Sequence, residues 1–140
     1  MKKAFITAII LFCICSVSTF AQLKELNQNE LYEKVLTVYD KGDYTYKNKP
    51  SIVLFYSPYC PYSKEMEKTL KKVSGNYEDR INFYKVNVFK IDDYTMENLE
   101  IEGTPTIGVD DGEEFLCNGG MATKQDLEEL CQDLIEFYYE

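Results

Sequence analysis

The sequence predicts an α/β fold: a mixed central β-sheet with helices on both faces. Three observations lead there. Two short runs rich in β-formers, Ser51 to Ser57 (SIVLFYS) and Ile81 to Val88 (INFYKVNV), are separated by a stretch with apolar residues at helical spacing. The tight-turn string Asp110-Asp111-Gly112 joins two further strands as a hairpin, which adds antiparallel pairing to a sheet built from helical crossovers. No repeat, low-complexity tract or Pro/Gly-rich linker divides the chain, and its 140 residues, 45% hydrophobic and 14% aromatic, suffice for one packed domain.

The elements follow in order. Asn27-Gln28-Asn29-Glu30 reads as a capping box with Asn27 as N-cap, and Leu31, Val35, Val38 and Tyr39 carry a first helix to about Asp40. Lys41 to Pro50 is a polar loop. SIVLFYS is apolar without alternation, the pattern of a strand buried on both faces. Pro58-Tyr59-Cys60-Pro61 ends it. Pro61 suits the first position of the next helix, whose apolar stripe is Met66, Leu70, Val73 and Tyr77. Ile81 to Val88 is the second strand, and a short helix covers Asp93 to Leu99. Gly103-Thr104-Pro105 opens the strand Thr106 to Val109, and the hairpin leads into Glu113 to Asn118, broken by Gly119-Gly120. Thr123, with Asp126 three residues later, caps a final helix lined by Leu127, Leu130, Cys131, Leu134 and Tyr138.

Residues 1–21 (MKKAFITAIILFCICSVSTFA) read as a signal peptide: Lys2 and Lys3 precede an uncharged, mostly apolar stretch that ends in the cleavage-site pattern Thr19-Phe20-Ala21. The competing reading is a retained anchor, since the uncharged stretch is just long enough to cross a bilayer. The polar end (Ser16, Ser18, Thr19) favours cleavage. The domain is then residues 22–140, exported to a periplasmic or extracellular location, with no membrane association after cleavage.

The chain carries 15 Lys plus Arg against 24 Asp plus Glu, a formal charge of −9. That excess lacks the cationic face needed to neutralise phosphates, so nucleic acid is not an expected partner. With no His, the commonest metal ligand and general base are both missing, and no metal is expected. Chemistry therefore falls to cysteine. Signal cleavage removes Cys13 and Cys15 and leaves Cys60, Cys117 and Cys131 where disulfides are permitted. An odd number means that at least one thiol is free or pairs outside the molecule.

Cys60 stands where a buried strand meets a helix N-terminus. Unpaired N–H groups and the helix dipole favour an anion there, so its thiol should ionise readily, and a thiolate is the species that attacks disulfides. Ser63, one turn along, is placed to donate a hydrogen bond to the sulfur. The plainer alternative is a buried small hydrophobe, which a position between two prolines at a strand mouth makes less attractive.

The string Pro58-Tyr59-Cys60-Pro61-Tyr62-Ser63 after SIVLFYS, then Lys85-Val86-Asn87-Val88, Gly103-Thr104-Pro105-Thr106, Asp111-Gly112-Glu113, Gly120 and the final helix, resembles the thioredoxin-like superfamily in order and spacing. Gln22 to Asp40 fits more loosely as an opening strand and helix. The resemblance implies that Pro105 is cis and faces Cys60, and that the Thr104 backbone docks an extended substrate segment. Tyr59 and Tyr62 would flank that substrate. Two departures set the expected mechanism. The usual second cysteine of the family is Ser63 here, and the buried acid six residues before the first cysteine is Leu54. A protein with one such thiol makes mixed disulfides with protein thiols and disulfides, and depends on an outside thiol for release. The expectation is thus an exported monothiol oxidoreductase or isomerase, acting as a monomer, with Cys60 and Ser63 as the catalytic residues within a motif that includes Pro61 and Tyr62. No cofactor is expected beyond glutathione or another small thiol as co-substrate. A glutaredoxin-like glutathione-dependent exchanger and a thiol-capturing chaperone without turnover are the alternatives. Cys117 and Cys131 read as two buried reduced thiols, with a structural disulfide between them open if both point into one layer.

Overall fold

The structure, a computed structural model, describes residues 21–36 and 49–140. Residues 1–20, nearly all of the segment expected to be a signal peptide, and residues 37–48, where the end of the first helix and most of the polar loop are expected, lie outside the described residues. The elements are β1 (Lys24–Glu25), α1 (Gln28–Leu31, continued as a π-helix over Tyr32–Leu36), β2 (Ser51–Tyr56), α2 (Pro61–Ser74), β3 (Asn82–Asn87, followed by a 3-10 turn at Val88–Lys90), α3 (Asp93–Asn98), β4 (Thr106–Asp110), β5 (Phe115–Gly119) and α4 (Lys124–Tyr139). The strands form one sheet in the order β1-β3-β2-β4-β5. β1 and β2 both run parallel to β3, whereas β4 is antiparallel to β2 and β5 to β4. The sheet is mixed, as the sequence predicts.

The unbroken apolar run of β2 is explained by what lies on each side of it. Ile52 and Leu54 point into one layer with Met66, Leu70 and Val73 of α2 and Leu127, Cys131 and Leu134 of α4. Val53 and Phe55 point the opposite way, onto Leu31, Val35, Val86, Ile91 and Ile101. Successive side chains alternate between faces, so a central strand covered on both sides has no position left for a polar residue to face solvent. Gly108 of β4 makes room in the second layer: a Cβ there would lie 2.3 Å from the Phe115 ring, which stands edge-on to Phe55 at 6.3 Å between centroids.

Local chemistry fixes the boundaries. The capping box at Asn27 and Glu30 forms (Glu30 N to Asn27 Oδ1, 2.9 Å; Asn27 N to Glu30 Oε2, 3.1 Å). The Thr123 cap forms with Asp126 in the same reciprocal way. β5 begins at Phe115, two residues later than predicted, because Asp111 Oδ1 accepts from the N–H groups of both Glu113 and Glu114 (2.8 and 2.9 Å) and holds them in the turn. Gly119 remains in the strand, and Gly120, at φ +105°, ends it. Tyr77 lies past the end of α2 but still packs on the core.

The disulfide left open between Cys117 and Cys131 does not form. Both are free thiols, Cys131 in the layer under α2 and α4 and Cys117 against the layer on the other face of the sheet. A sheet stands between them, so no rotamer change brings the sulfurs to bonding distance.

Candidate active site

The loop after β2 is folded around Ser57. Its carbonyl accepts from Cys60 N (3.2 Å), its hydroxyl accepts from Tyr59 N (3.2 Å), and its own N–H donates to Ser63 Oγ (3.3 Å). Cys60 is thereby set as the N-cap of α2, with extended backbone (φ −93°, ψ 115°), and Pro61 occupies the first helical position without wasting an N–H.

Ser63 is 1% exposed. Because Ser57 N–H occupies one of its lone pairs, the hydroxyl proton is free to point at the Cys60 sulfur. The Ser63 hydroxyl, then the Ser63 N–H, lower the Cys60 pKa against the opposing effect of partial burial. The Thr104 side chain and the Tyr62 N–H add to the lowering. All of these favour the thiolate. Replacing Ser63 by Ala should therefore raise the midpoint of Cys60 alkylation, since it removes the largest of the effects that lower it. The rate of iodoacetamide labelling against pH, in a chain carrying Cys117→Ala and Cys131→Ala, measures it. An unchanged midpoint would show that Ser63 does not stabilise the thiolate.

Across the groove, the Thr104–Pro105 peptide is cis and the Cys60 thiol donates to Thr104 O at 3.5 Å. Two bonds pin the loop that presents this carbonyl: Thr106 Oγ1 to Gly103 O (2.7 Å) and Gly120 N to Pro105 O (2.9 Å). Cys60, Ser63, Pro61, Tyr62, Thr104 and Pro105 thus meet at one end of the sheet. Tyr59 and Tyr62 are 82% and 63% exposed beside the sulfur. Tyr59 has a partner that sequence reasoning missed: Phe89, itself 68% exposed, packs edge-on to it at 5.7 Å. The signal was Asn87, whose side chain accepts from Phe89 N (3.0 Å) and turns the chain out of β3 toward the site.

The other two thiols are poor nucleophiles. Burial pushes Cys117 and Cys131 up to about 12, with Glu100 and Glu128 respectively adding to the effect. Leu54 is fully buried in the sheet beside Lys85 of β3. With no acid at that position, Lys85 pairs instead with Glu67 of α2 (2.9 Å), which also binds Lys71 (2.8 Å), and lies 5.1 Å above the Tyr56 ring. Burial resists ionisation of Glu67, but the two lysines outweigh it and hold its carboxyl below the ordinary range. The Tyr56 hydroxyl donates to Glu25 Oε1 (2.9 Å), and burial together with that carboxylate pushes its phenol up to about 12. No helix among the described residues is long and apolar enough to cross a membrane.

A five-stranded mixed sheet with paired helices on each face, a cysteine capping a helix and a cis-proline opposite its sulfur define a thioredoxin-fold protein. The thioredoxin family model matches residues 24–133, and the chain belongs to that family. Among curated proteins it is similar to "Thioredoxin-like protein HCF164, chloroplastic" of Arabidopsis thaliana (28% identical over 102 residues, 71% of this chain and 36% of that protein). It is also similar to the protein of the same name from Oryza sativa (31% over 85 residues, 59% and 29%) and to thioredoxin of Borreliella burgdorferi (28% over 83 residues, 59% and 70%). The chain thus spans about a third of the length of the chloroplastic relatives. Among solved structures, chloroplastic thioredoxin z shares the fold at a TM-score of 0.66 and 19% identity, over 81% of this chain and 95% of that one.

Proposed function

We propose that this chain is an exported monothiol thiol-disulfide exchange protein in which Cys60 forms mixed disulfides with protein substrates. The observation that carries this reading is Ser63: a buried hydroxyl directed at the Cys60 sulfur, at the place where the family's second thiol would stand. The Cys60 thiolate attacks one sulfur of a substrate disulfide. A Cys60–substrate S–S bond forms, the substrate S–S bond breaks, and the other substrate sulfur leaves as a thiolate. Release then needs a second thiolate, from a small thiol or from another cysteine of the substrate, to attack the mixed disulfide and expel Cys60. Ser63 assists both steps, because a stabilised thiolate is also a good leaving group. The substrate lies extended against Thr104 and Pro105, with the Tyr59–Phe89 pair at one side. Ser57 contributes by positioning, through its three hydrogen bonds to the loop and Ser63.

The family match supports this reading over a glutaredoxin-like one. Export, to a periplasmic or extracellular compartment, is supported by the leader-like pattern of residues 1–21. Glutathione or another small thiol would act as the releasing co-substrate.

The test is adduct formation with a disulfide-containing protein, followed by mass spectrometry. Without small thiol a one-to-one Cys60 adduct should accumulate; adding thiol should convert it to turnover whose rate follows thiol concentration. Pro105→Ala should lower adduct formation by roughly tenfold through weaker docking, while Cys60 alkylation by iodoacetamide persists. With a substrate that carries no cysteine beyond its one disulfide, turnover independent of added thiol would overturn the monothiol mechanism. An adduct that resists excess thiol would establish the capture module instead.

A further inference from the structure

Beside the Thr104–Pro105 loop the surface opens into a groove of about 200 Å³ lined by Glu100, Glu102, Gly103, Thr104, Pro105 and Thr106, with Gly119 and Gly120 closing the far side. It is continuous with a wider trough bounded by Met96, Glu97 and Ile101, which shares Glu100 and Glu102. Among the described residues no basic side chain lines either one. Among the described residues neither Glu100 nor Glu102 takes part in an ion pair, although the chain has lysines paired with acids elsewhere on its surface. The groove adjoins the reacting residue through one wall: Thr104 offers the carbonyl that accepts from the Cys60 thiol at 3.5 Å. The two carboxylates therefore lie beside the Thr104–Pro105 loop, against which the proposed function places an extended substrate.

We propose that Glu100 and Glu102 make this groove selective for a polypeptide whose reacting cysteine is flanked by Lys or Arg. The inference rests on the reading of Cys60 as the attacking thiol and adds the charge class of its substrate. The argument is complementarity. An incoming Lys or Arg supplies a partner for carboxylates that have no ion pair among the described residues, and an incoming Asp or Glu meets two like charges. The apolar floor of the trough, Met96 and Ile101, can cover the aliphatic stem of a basic side chain while its head stays at the carboxylates. The same charges disfavour an anionic releasing thiol such as glutathione relative to a cationic one.

Three synthetic peptides test this, identical except for Lys, Gln or Glu beside a single cysteine activated as its mixed disulfide with thionitrobenzoate. The Cys60 thiolate attacks the peptide sulfur, the Cys60–peptide S–S bond forms, and thionitrobenzoate leaves as a coloured anion, so release gives the second-order rate directly. The Lys peptide should react roughly tenfold faster than the Glu peptide at low salt, with the Gln peptide between, and the ratio should fall as salt is raised. Glu100→Gln combined with Glu102→Gln should bring the Lys-to-Glu ratio near one. Glu113→Gln with Glu114→Gln, in the β4–β5 turn at the opposite end of the strands, should leave that ratio as it is, which separates a local effect from the acidity of the whole chain. Equal rates for the three peptides, or a ratio insensitive to the Glu100/Glu102 change, would overturn the inference while leaving Cys60 chemistry standing. No release with any peptide would instead overturn the reading of Cys60, and the inference with it.

Discussion

Changing Ser63 to Cys is expected to turn Cys60 into half of an internal disulfide and to raise insulin reduction, in the presence of dithiothreitol, by roughly tenfold or more over the parent chain. The geometry is already in place. Residue 63 lies one turn into α2 with its side chain directed at the Cys60 sulfur, and positions three apart on a helix bring Cα atoms within about 5–6 Å, the range that a disulfide spans. Internal attack by the introduced thiol then replaces the slow encounter with an outside thiol, and effective concentration supplies the rate. The balance is simple: two thiols become one S–S bond, the insulin disulfide becomes two thiols, and dithiothreitol restores the starting state. The gain should stay below that of a dithiol member with its buried acid, because Leu54 leaves the introduced, buried thiol nothing to take its proton. A variant that never forms the internal disulfide would show that residue 63 does not occupy the second-thiol position.

Leu54→Asp should have the opposite sign on stability. Leu54 is 0% exposed, packed with Met66, Leu70 and Ile107, and its replacement both removes apolar contacts and places a carboxyl in a dry layer. A cost of about 3–5 kcal/mol is expected at neutral pH. Burial raises the carboxyl pKa in the folded state, so the folded chain holds its proton to higher pH than the unfolded one, whose carboxyl ionises near 3.9. The penalty is therefore smallest below about pH 4 and grows as pH rises through the folded-state value. Urea denaturation of the variant and the parent at several pH values measures this; a pH-independent difference would mean that the carboxyl reaches water or Lys85. Joined to Ser63→Cys, the same change should raise reductase activity further, since the introduced thiol then has a proton acceptor beneath it.

The fold was legible where patterning and capping coincide. SIVLFYS, the Asn27 and Thr123 boxes and the Asp110-Asp111-Gly112 turn each state a local preference that tertiary packing also satisfies, and their boundaries fall within two residues of those observed. β1 was not readable from its own residues: Lys24 and Glu25 are two exposed polar positions at a sheet edge, with no alternation to detect. The π-helix at Tyr32–Leu36 leaves no mark in an apolar spacing that suits an α-helix equally well. At the site, Cys60 and its helix terminus followed from sequence. What did not follow was non-local: the Ser57 hydrogen bonds that aim Ser63, the edge-on contact of Phe89 with Tyr59, and the opposite-face placement of Cys117 and Cys131, none of which has a fixed separation along the chain.

That last placement limits how this chain can be joined to others. Polymer chemistry counts the linkable ends of a unit: two or more extend a network, and one can only close it. With Cys131 buried and the Cys117 thiol pushed up by its burial, Cys60, whose thiol is shifted the other way, is the readiest linkable end among the described thiols. If Cys60 is the one sulfur that links, strong oxidation should stop such units at a pair joined sulfur to sulfur, and mixed with misoxidised proteins of higher valence they should cap growing disulfide-linked aggregates instead of bridging them.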